Sequence, residues 1–368
     1  VAYPETIEQT TRPTEQRVMV VDADIHPAMM PNDVAARLDE PWRTRFLDYG
    51  VRVPGPPMYY PRVRNGGFRL DARPKGGFPG SDLGMVQRQL LDEFDVDYGI
   101  LIPLQGHHFG YEVPEFGAAL CRALNEWIRE EWLDADPRLR ASICVPTEAP
   151  ELAAREIEHY ADDPRFVQVL LPTTPEASPG NRKYWPIYAA AVRAGLPLAP
   201  HLGGIERHPG TGWPSYYLES HVRNGNTMQA FAMNFIFERV FEHFPTLQVL
   251  LVEGGITWAG ALMWAMDSGW SMLRDEPPRL ERPPSEYFRE HFWFTTQPIE
   301  EPDDPRHLIQ SLEHTGMIDR MLFASDYPHW DFDSPKLALQ DLPKELRQRI
   351  LGVNACRLYG LPVEGGLR

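Results

Sequence analysis

Short apolar runs alternate with longer amphipathic stretches along most of the chain. The first run lies in VMVVDADIHP at 18–27; it is apolar over 18–21 and then turns polar at Asp22, Asp24 and His26. Further runs at 98–104, 139–145, 166–171, 197–201, 247–252, 292–296 and 321–324 predict strands. Between them the pattern predicts helices at 85–94, 115–132, 148–159, 184–194, 227–244, 258–273 and 305–315, with a helical tail at 344–359. In 115–132, for example, Ala119, Leu120, Leu124 and Trp127 recur near helical spacing. A helix at 31–49 carrying Val34, Leu38, Trp42 and Phe46 is expected to break at Pro41. Most strands lack a two-residue polar alternation, as strands buried on both faces do. This order predicts an α/β fold, a (β/α)8 TIM barrel with an extended insert after the first strand. A doubly wound open sheet is the alternative, but no GxGxxG follows the first strand and no GxxxxGK[ST] occurs.

The insert spans about 50–83 and is rich in Gly, Pro, Tyr and Arg. It is too long for a bare connector, and Tyr59, Tyr60 and Phe68 suit a cap over a site. Residues 1–17 read as a polar N-terminal arm, with the barrel from 18 to 368. Neither a signal peptide nor a transmembrane span is expected. Lys plus Arg number 36 against 52 Asp plus Glu, a net charge of -16. That balance argues against nucleic-acid and anionic-membrane partners. Cys121, Cys144 and Cys356 are too far apart for a zinc-knuckle or CxxC pattern, which suggests buried thiols and a cytoplasmic location.

The chemistry gathers at strand ends. Asp24 and His26 are two apart, so on a strand they face the same side. His201 ends the fifth strand, Glu253 the sixth and Asp326 the eighth. A barrel brings these ends to one mouth. Carboxylates gathered there repel one another and resist burial unless a cation compensates, so a divalent metal is expected.

The motifs DADIH, PLAPHLGG, FPTLQVLLVEGG, LFASDYPH and NACRLYG resemble the amidohydrolase superfamily over about 340 residues. The branch is the one that includes aminocarboxymuconate-semialdehyde decarboxylase and the resorcylate decarboxylases. The resemblance implies a metal held by Asp24, His26, His201 and Asp326. Two positions depart from the branch. The first-strand pair, often HxH or ExH, is here Asp24 and His26, and the histidine that decarboxylases carry after the sixth strand is here Glu253. An ionised Glu cannot donate to a substrate anion. Glu253 therefore has two candidate jobs: general base on metal-activated water, or a ligand bridging to a second ion also held by His221. One or two divalent ions are expected, with iron or manganese suiting the set at least as well as zinc.

These residues imply an enzyme, read first as a metal-dependent hydrolase of an amide, ester or thioester, acyl-CoA among them. Glu253, Asp326 and His329 are its candidate catalytic residues. The alternative is a metal-dependent non-oxidative decarboxylase or hydratase of an aromatic-derived carboxylic acid, and a non-catalytic binding barrel is a third reading. His107 and His108 are further candidates at the mouth. Arg62, Arg64 and Arg69 would serve phosphates of a CoA substrate. Arg207, His208, Trp213, Tyr217 and Trp258 lie near the mouth, with Trp264 and Trp270 expected in the core. The aromatics suggest a bulky, partly apolar small-molecule substrate, and a homodimer is expected from the resemblance and the insert.

Overall fold

The computed structural model describes residues 17–51, 63–109, 112–204, 214–273 and 275–363, the side chains of Arg64, His107 and His108 excepted. Eight strands form one parallel sheet in chain order. They are β1 (Val21–Ile25), β2 (Tyr98–Leu101), β3 (Leu139–Cys144), β4 (Phe166–Thr174), β5 (Leu198–Gly204), β6 (Val249–Leu251), β7 (Phe292–Thr295) and β8 (Met321–Leu322). β8 returns to β1 through a parallel bridge between Ile25 and Tyr327. The Ala23 N–H donates to Phe323 O at 2.9 Å, and the His26 N–H to Tyr327 O at 2.8 Å. The sheet is therefore a nearly closed barrel with interleaved helices, as the apolar pattern predicts, and not an open doubly wound sheet.

The strands are apolar on both faces because each is covered on both sides. Val21, Ile100, Ile143, Val169, Leu250, Phe294 and Phe323 all belong to one buried cluster. Gln168 on β4 is paired within that cluster: it donates to Ser142 on β3 at 2.9 Å and accepts from Tyr359 at 2.8 Å. The three cysteines are buried and free. No helix among the described residues is long and apolar enough to cross a membrane.

Among the boundaries that differ from the sequence expectation, three have a left-handed non-glycine residue at or just beyond them. β6 stops at Leu251 and Glu253 has φ 65°. β8 stops at Leu322 and Asp326 has φ 58°. The helix expected at 227–244 divides into Asn224–Phe237 and Val240–His243, with Arg239 at φ 60° between them. An apolar run does not report such a backbone reversal. Pro41 behaves as expected: the helices Pro31–Ala36 and Trp42–Tyr49 lie on either side of it.

The described part of the insert, 63–83, lies across the strand ends. The Ala28 N–H donates to Gly80 O at 3.0 Å, tying the insert to the loop after β1. The Arg69 N–H donates to Pro328 O at 3.0 Å and the Trp330 N–H to Gly67 O at 2.9 Å, tying it to the loop after β8. Phe68 forms an antiparallel bridge with His329 between these bonds. Gly80 has φ 82°, and a Cβ there would stand 2.2 Å from His26 O. Only glycine lets the insert approach the end of β1 this closely. Tyr59 and Tyr60 lie outside the described residues.

Candidate metal centre

β1 is buried at every position, Asp22 and Asp24 included. Alternation along the strand sends Asp24 and His26 to the barrel mouth. The bond from His26 Nδ1 to Ile102 O, at 2.8 Å, fixes the ring. A carbonyl only accepts, so Nδ1 carries a proton and Nε2 is the ring atom turned toward the carboxylates. His201 is held likewise, its Nδ1 2.7 Å from Leu202 O. His26 Nε2 lies 3.1 Å from Asp24 Oδ1 and 2.8 Å from Asp326 Oδ1. His201 Nε2 lies 3.5 Å from Asp24 Oδ2 and 3.4 Å from Glu253 Oε2.

Asp24 is wholly buried, and neither of its carboxylate oxygens accepts a hydrogen bond among the described residues. A buried, uncompensated carboxylate is costly. A proton on His26 Nε2 would compensate it only by making the ring a cation, whereas a divalent ion does so with both imidazoles neutral. The ligand atoms of Asp24, His26 and His201 lie within 4.8 Å of one another, and so do those of His26, Asp326 and His329. The structure thus carries a candidate divalent-metal site of mixed imidazole and carboxylate character, a set that suits manganese, iron or zinc.

Electrostatics divide the groups. Burial pushes Asp24 up to about 7; His26 opposes this and Asp326 adds to it. Burial pushes Glu253 well above the usual carboxylate range, with Asp326, Asp24 and Asp331 adding to it. Burial also acts upward on Asp326, but the charge of His329 and hydrogen bonds from His26 and His329 outweigh it and hold the group well below that range. Burial lowers His201 to about 4, which keeps its ring neutral and available as a ligand. His329 is raised: burial opposes its charge, and Asp326 more than offsets burial. Its Nδ1 donates to Asp326 Oδ1 at 2.6 Å while Phe68 stacks on its face, with ring centroids 4.9 Å apart.

The other candidates divide between the mouth and its surroundings. Glu253 is at the mouth, its backbone N–H donating to Thr295 Oγ1 at 3.0 Å. His221 stands apart from the two ligand groups; its Nε2 is 3.3 Å from Asp331 Oδ2, and its ring neighbours Tyr217 and Trp330. Arg69 is committed to Asp71 through two hydrogen bonds and lies over the Phe332 ring, so it is no free phosphate ligand. Trp258 donates to Gly254 O at 2.8 Å, bracing the turn after Glu253. Trp270 packs against the core, but Trp264, expected there too, is 59% exposed. Arg62, Arg207, His208 and Trp213 lie outside the described residues, as do the side chains of Arg64, His107 and His108.

The sequence reading gave no role to Asp331, to Gln297 or to the pair Asp22 and Ser325. Gln297 Nε2 donates to Asp331 Oδ2 at 2.9 Å and leaves its own buried Oε1 without a hydrogen-bond partner among the described residues. Asp22 was visible in principle, since it shares the alternation of Asp24. Asp331 and Gln297 sit on loops, where no periodicity marks them.

The sequence profile of the amidohydrolase family matches residues 21–361. The gamma-resorcylate decarboxylase of Polaromonas sp. (strain JS666 / ATCC BAA-500) is 25% identical over 233 residues, covering 58% of this chain and 67% of that protein. The enzyme of the same name from Rhodococcus jostii (strain RHA1) is 23% identical over 308 residues, covering 76% of this chain and 88% of that one. Among solved structures, a dihydroxybenzoic acid decarboxylase from Polaromonas sp. JS666, with bound manganese and the inhibitor 2-nitroresorcinol, superposes with a TM-score of 0.66 at 18% identity, covering 94% of this chain and 98% of that one. An amidohydrolase from Mycobacterium avium subsp. paratuberculosis K-10 gives 0.71 at 20% identity, covering 94% and 100%. With a family match running from β1 to the last helix, the chain belongs to the amidohydrolase superfamily, in the branch that includes the resorcylate decarboxylases.

Proposed function

We propose that this protein is a metal-dependent, non-oxidative decarboxylase of an aromatic carboxylic acid. The observation that carries the metal part is the buried Asp24 carboxylate, without hydrogen bonds and flanked by two imidazoles whose Nδ1 atoms are held by carbonyls. Asp24, His26, His201 and Asp326 would hold the ion. When bound, it neutralises these carboxylates and polarises substrate oxygens. The choice of decarboxylation over hydrolysis rests on the relatives, whose names are those of resorcylate and dihydroxybenzoate decarboxylases.

The reaction breaks the bond between ring and carboxylate, releases carbon dioxide and returns a proton to the ring carbon. His329 is held at Nδ1 by Asp326, so its Nε2 is the end that could carry a proton to substrate. Glu253 replaces the imidazole that the branch's decarboxylases carry. As a neutral acid it can donate a hydrogen bond to a substrate carboxylate, and burial, the largest cause of its displacement, favours that form. Phe68 and Phe78, which meet edge to face at 5.1 Å, supply apolar surface beside His329.

The test is metal analysis of the purified chain, followed by carbon dioxide release from a panel of hydroxybenzoates with manganese, iron or zinc. Release that a chelator abolishes supports the reading. Chelator-sensitive hydrolysis of esters or thioesters, with no carbon dioxide from any acid, would overturn it in favour of the hydrolase.

A further inference from the structure

The β1–β8 seam is where the barrel has least backbone pairing: β8 is two residues long, and Ile25–Tyr327 is the isolated bridge across it. Yet this seam carries Asp24 and His26 on one side and Asp326 on the other. Asp22 spans it. Its Oδ1 accepts from the Ser325 N–H at 2.9 Å and from the Asp24 N–H at 3.2 Å. Its Oδ2 accepts from Ser325 Oγ at 2.5 Å. The same hydroxyl accepts from the Tyr327 N–H at 3.2 Å. One carboxylate and one hydroxyl therefore hold the backbone on both sides of Asp326 and at Asp24, and Asp22 and Ser325 are both fully buried.

This bears on Asp326 because its φ is 58°. Positive φ is uncommon for non-glycine residues, although Asp adopts it more readily than most, and flanking contacts that fix it keep the side chain aimed one way. Here the restraint comes from the flanking residues: Ser325 by its N–H and hydroxyl, Tyr327 by its N–H. Relaxed to an extended backbone, Asp326 would point its side chain elsewhere, away from His26 Nε2.

We propose that Asp22, acting through Ser325, is a positioning residue for the metal centre: it fixes the left-handed turn that aims Asp326 at His26 and sets Asp24 beside it. Asp22 touches neither substrate nor ion. Its effect reaches the ion through the backbone, so it governs affinity and coordination geometry. The inference rests on the metal reading above and goes beyond it, since the ligands alone do not explain the turn.

The experiment measures manganese and zinc affinity of the full chain by calorimetry, with the visible spectrum of the cobalt-loaded protein as a report of geometry. Four proteins are compared: wild type, Asp22→Asn, Asp22→Ala and Ser325→Ala. Loss of a group that orients a ligand typically weakens metal binding about 10- to 100-fold. Asp22→Ala and Ser325→Ala are expected to lose affinity in that range and to change the cobalt spectrum. Asp22→Asn keeps an acceptor for both N–H groups, and Ser325 Oγ can accept from its amide, so it is expected to hold metal within about threefold of wild type, short of the roughly tenfold loss that is the least expected of the other two variants. Should Asp22→Ala not fold, Ser325→Ala, which removes a single hydroxyl, carries the test. Wild-type affinity and spectrum in Ser325→Ala and any folded Asp22→Ala would overturn the positioning role alone. Absence of metal binding by the wild type would overturn the metal reading instead.

Discussion

Replacing Asp24 by Asn should remove a loss of stability that the metal-free protein undergoes as pH rises, while abolishing its response to metal. Asp24 is wholly buried, and its pKa moves from 3.8 to about 7, burial being the main cause. That is roughly three pH units, and at about 1.4 kcal/mol for each, ionising Asp24 in the folded, metal-free protein costs about 4 kcal/mol. The sign follows from proton counting. Between 3.8 and about 7 the unfolded chain has released this proton and the folded chain has kept it. The contribution of Asp24 is therefore fully present below the lower value and is lost as pH rises through the upper one. Asn is neutral throughout, so it removes the slope, and the constant cost of its buried amide cancels from the pH dependence. Urea unfolding of both proteins in chelator from pH 4 to 8.5 reads the difference directly. Wild type minus Asp24→Asn should fall by most of about 4 kcal/mol over that range. Metal reverses the sense: at about 100 times its dissociation constant it should stabilise wild type by about 2.7 kcal/mol and the variant hardly at all. A difference that stays level with pH, or that rises, would refute the argument that Asp24 is an uncompensated buried carboxylate.

Three other substitutions probe the mouth. Glu253→Gln keeps a neutral hydrogen-bond donor; decarboxylation should survive within about tenfold, whereas loss of a general base would cost about 10²- to 10⁴-fold, and steady-state turnover separates the two. Gly80→Ala places a Cβ 2.2 Å from His26 O at φ 82°; it should lower stability by at least about 2 kcal/mol, and an unchanged urea midpoint would mean the insert does not approach β1 as described. His221→Ala should leave the number of ions per chain unchanged, because His221 pairs with Asp331 outside both ligand groups; elemental analysis showing a fall from two ions to one would assign it to a second metal.

The barrel and the candidate residues at its strand ends were legible in sequence because both are periodic. Strands covered on both faces read as apolar runs, and the mouth is the point where each run turns polar, so Asp24, His26, His201, Glu253 and Asp326 stand out by counting; the choice of four of them as ligands is what the family resemblance implies. What was not legible has no period. Phe68 meets His329 through a contact between residues 261 positions apart, made by a segment with no apolar rhythm. The pairing of His221 with Asp331 joins the short helix Tyr217–Val222 to the loop after β8. Trp264 sits in an apolar helix yet faces outward, because the helix Ala259–Leu273 is apolar nearly all round and gives no sign of which side is covered. Asp22 is the exception: its spacing from Asp24 was in view, but an interior carboxylate has a role only once its acceptors' partners are known.

The same ligand set serves hydrolysis and decarboxylation, so it does not distinguish them. What differs is where the proton goes. Hydrolysis takes a proton from water and needs a base at the mouth; decarboxylation gives one to carbon and needs a donor. Asp326 is held well below the usual carboxylate range by two imidazoles and can only accept near neutral pH. A donor must then come from His329 or Glu253, and both are displaced toward their protonated forms, His329 by Asp326 and Glu253 chiefly by burial. A mouth with one committed acceptor and two proton carriers is matched to protonating a ring carbon. On the proposed function, the substitution of Glu253 for the branch's histidine is a change of donor and not a change of reaction.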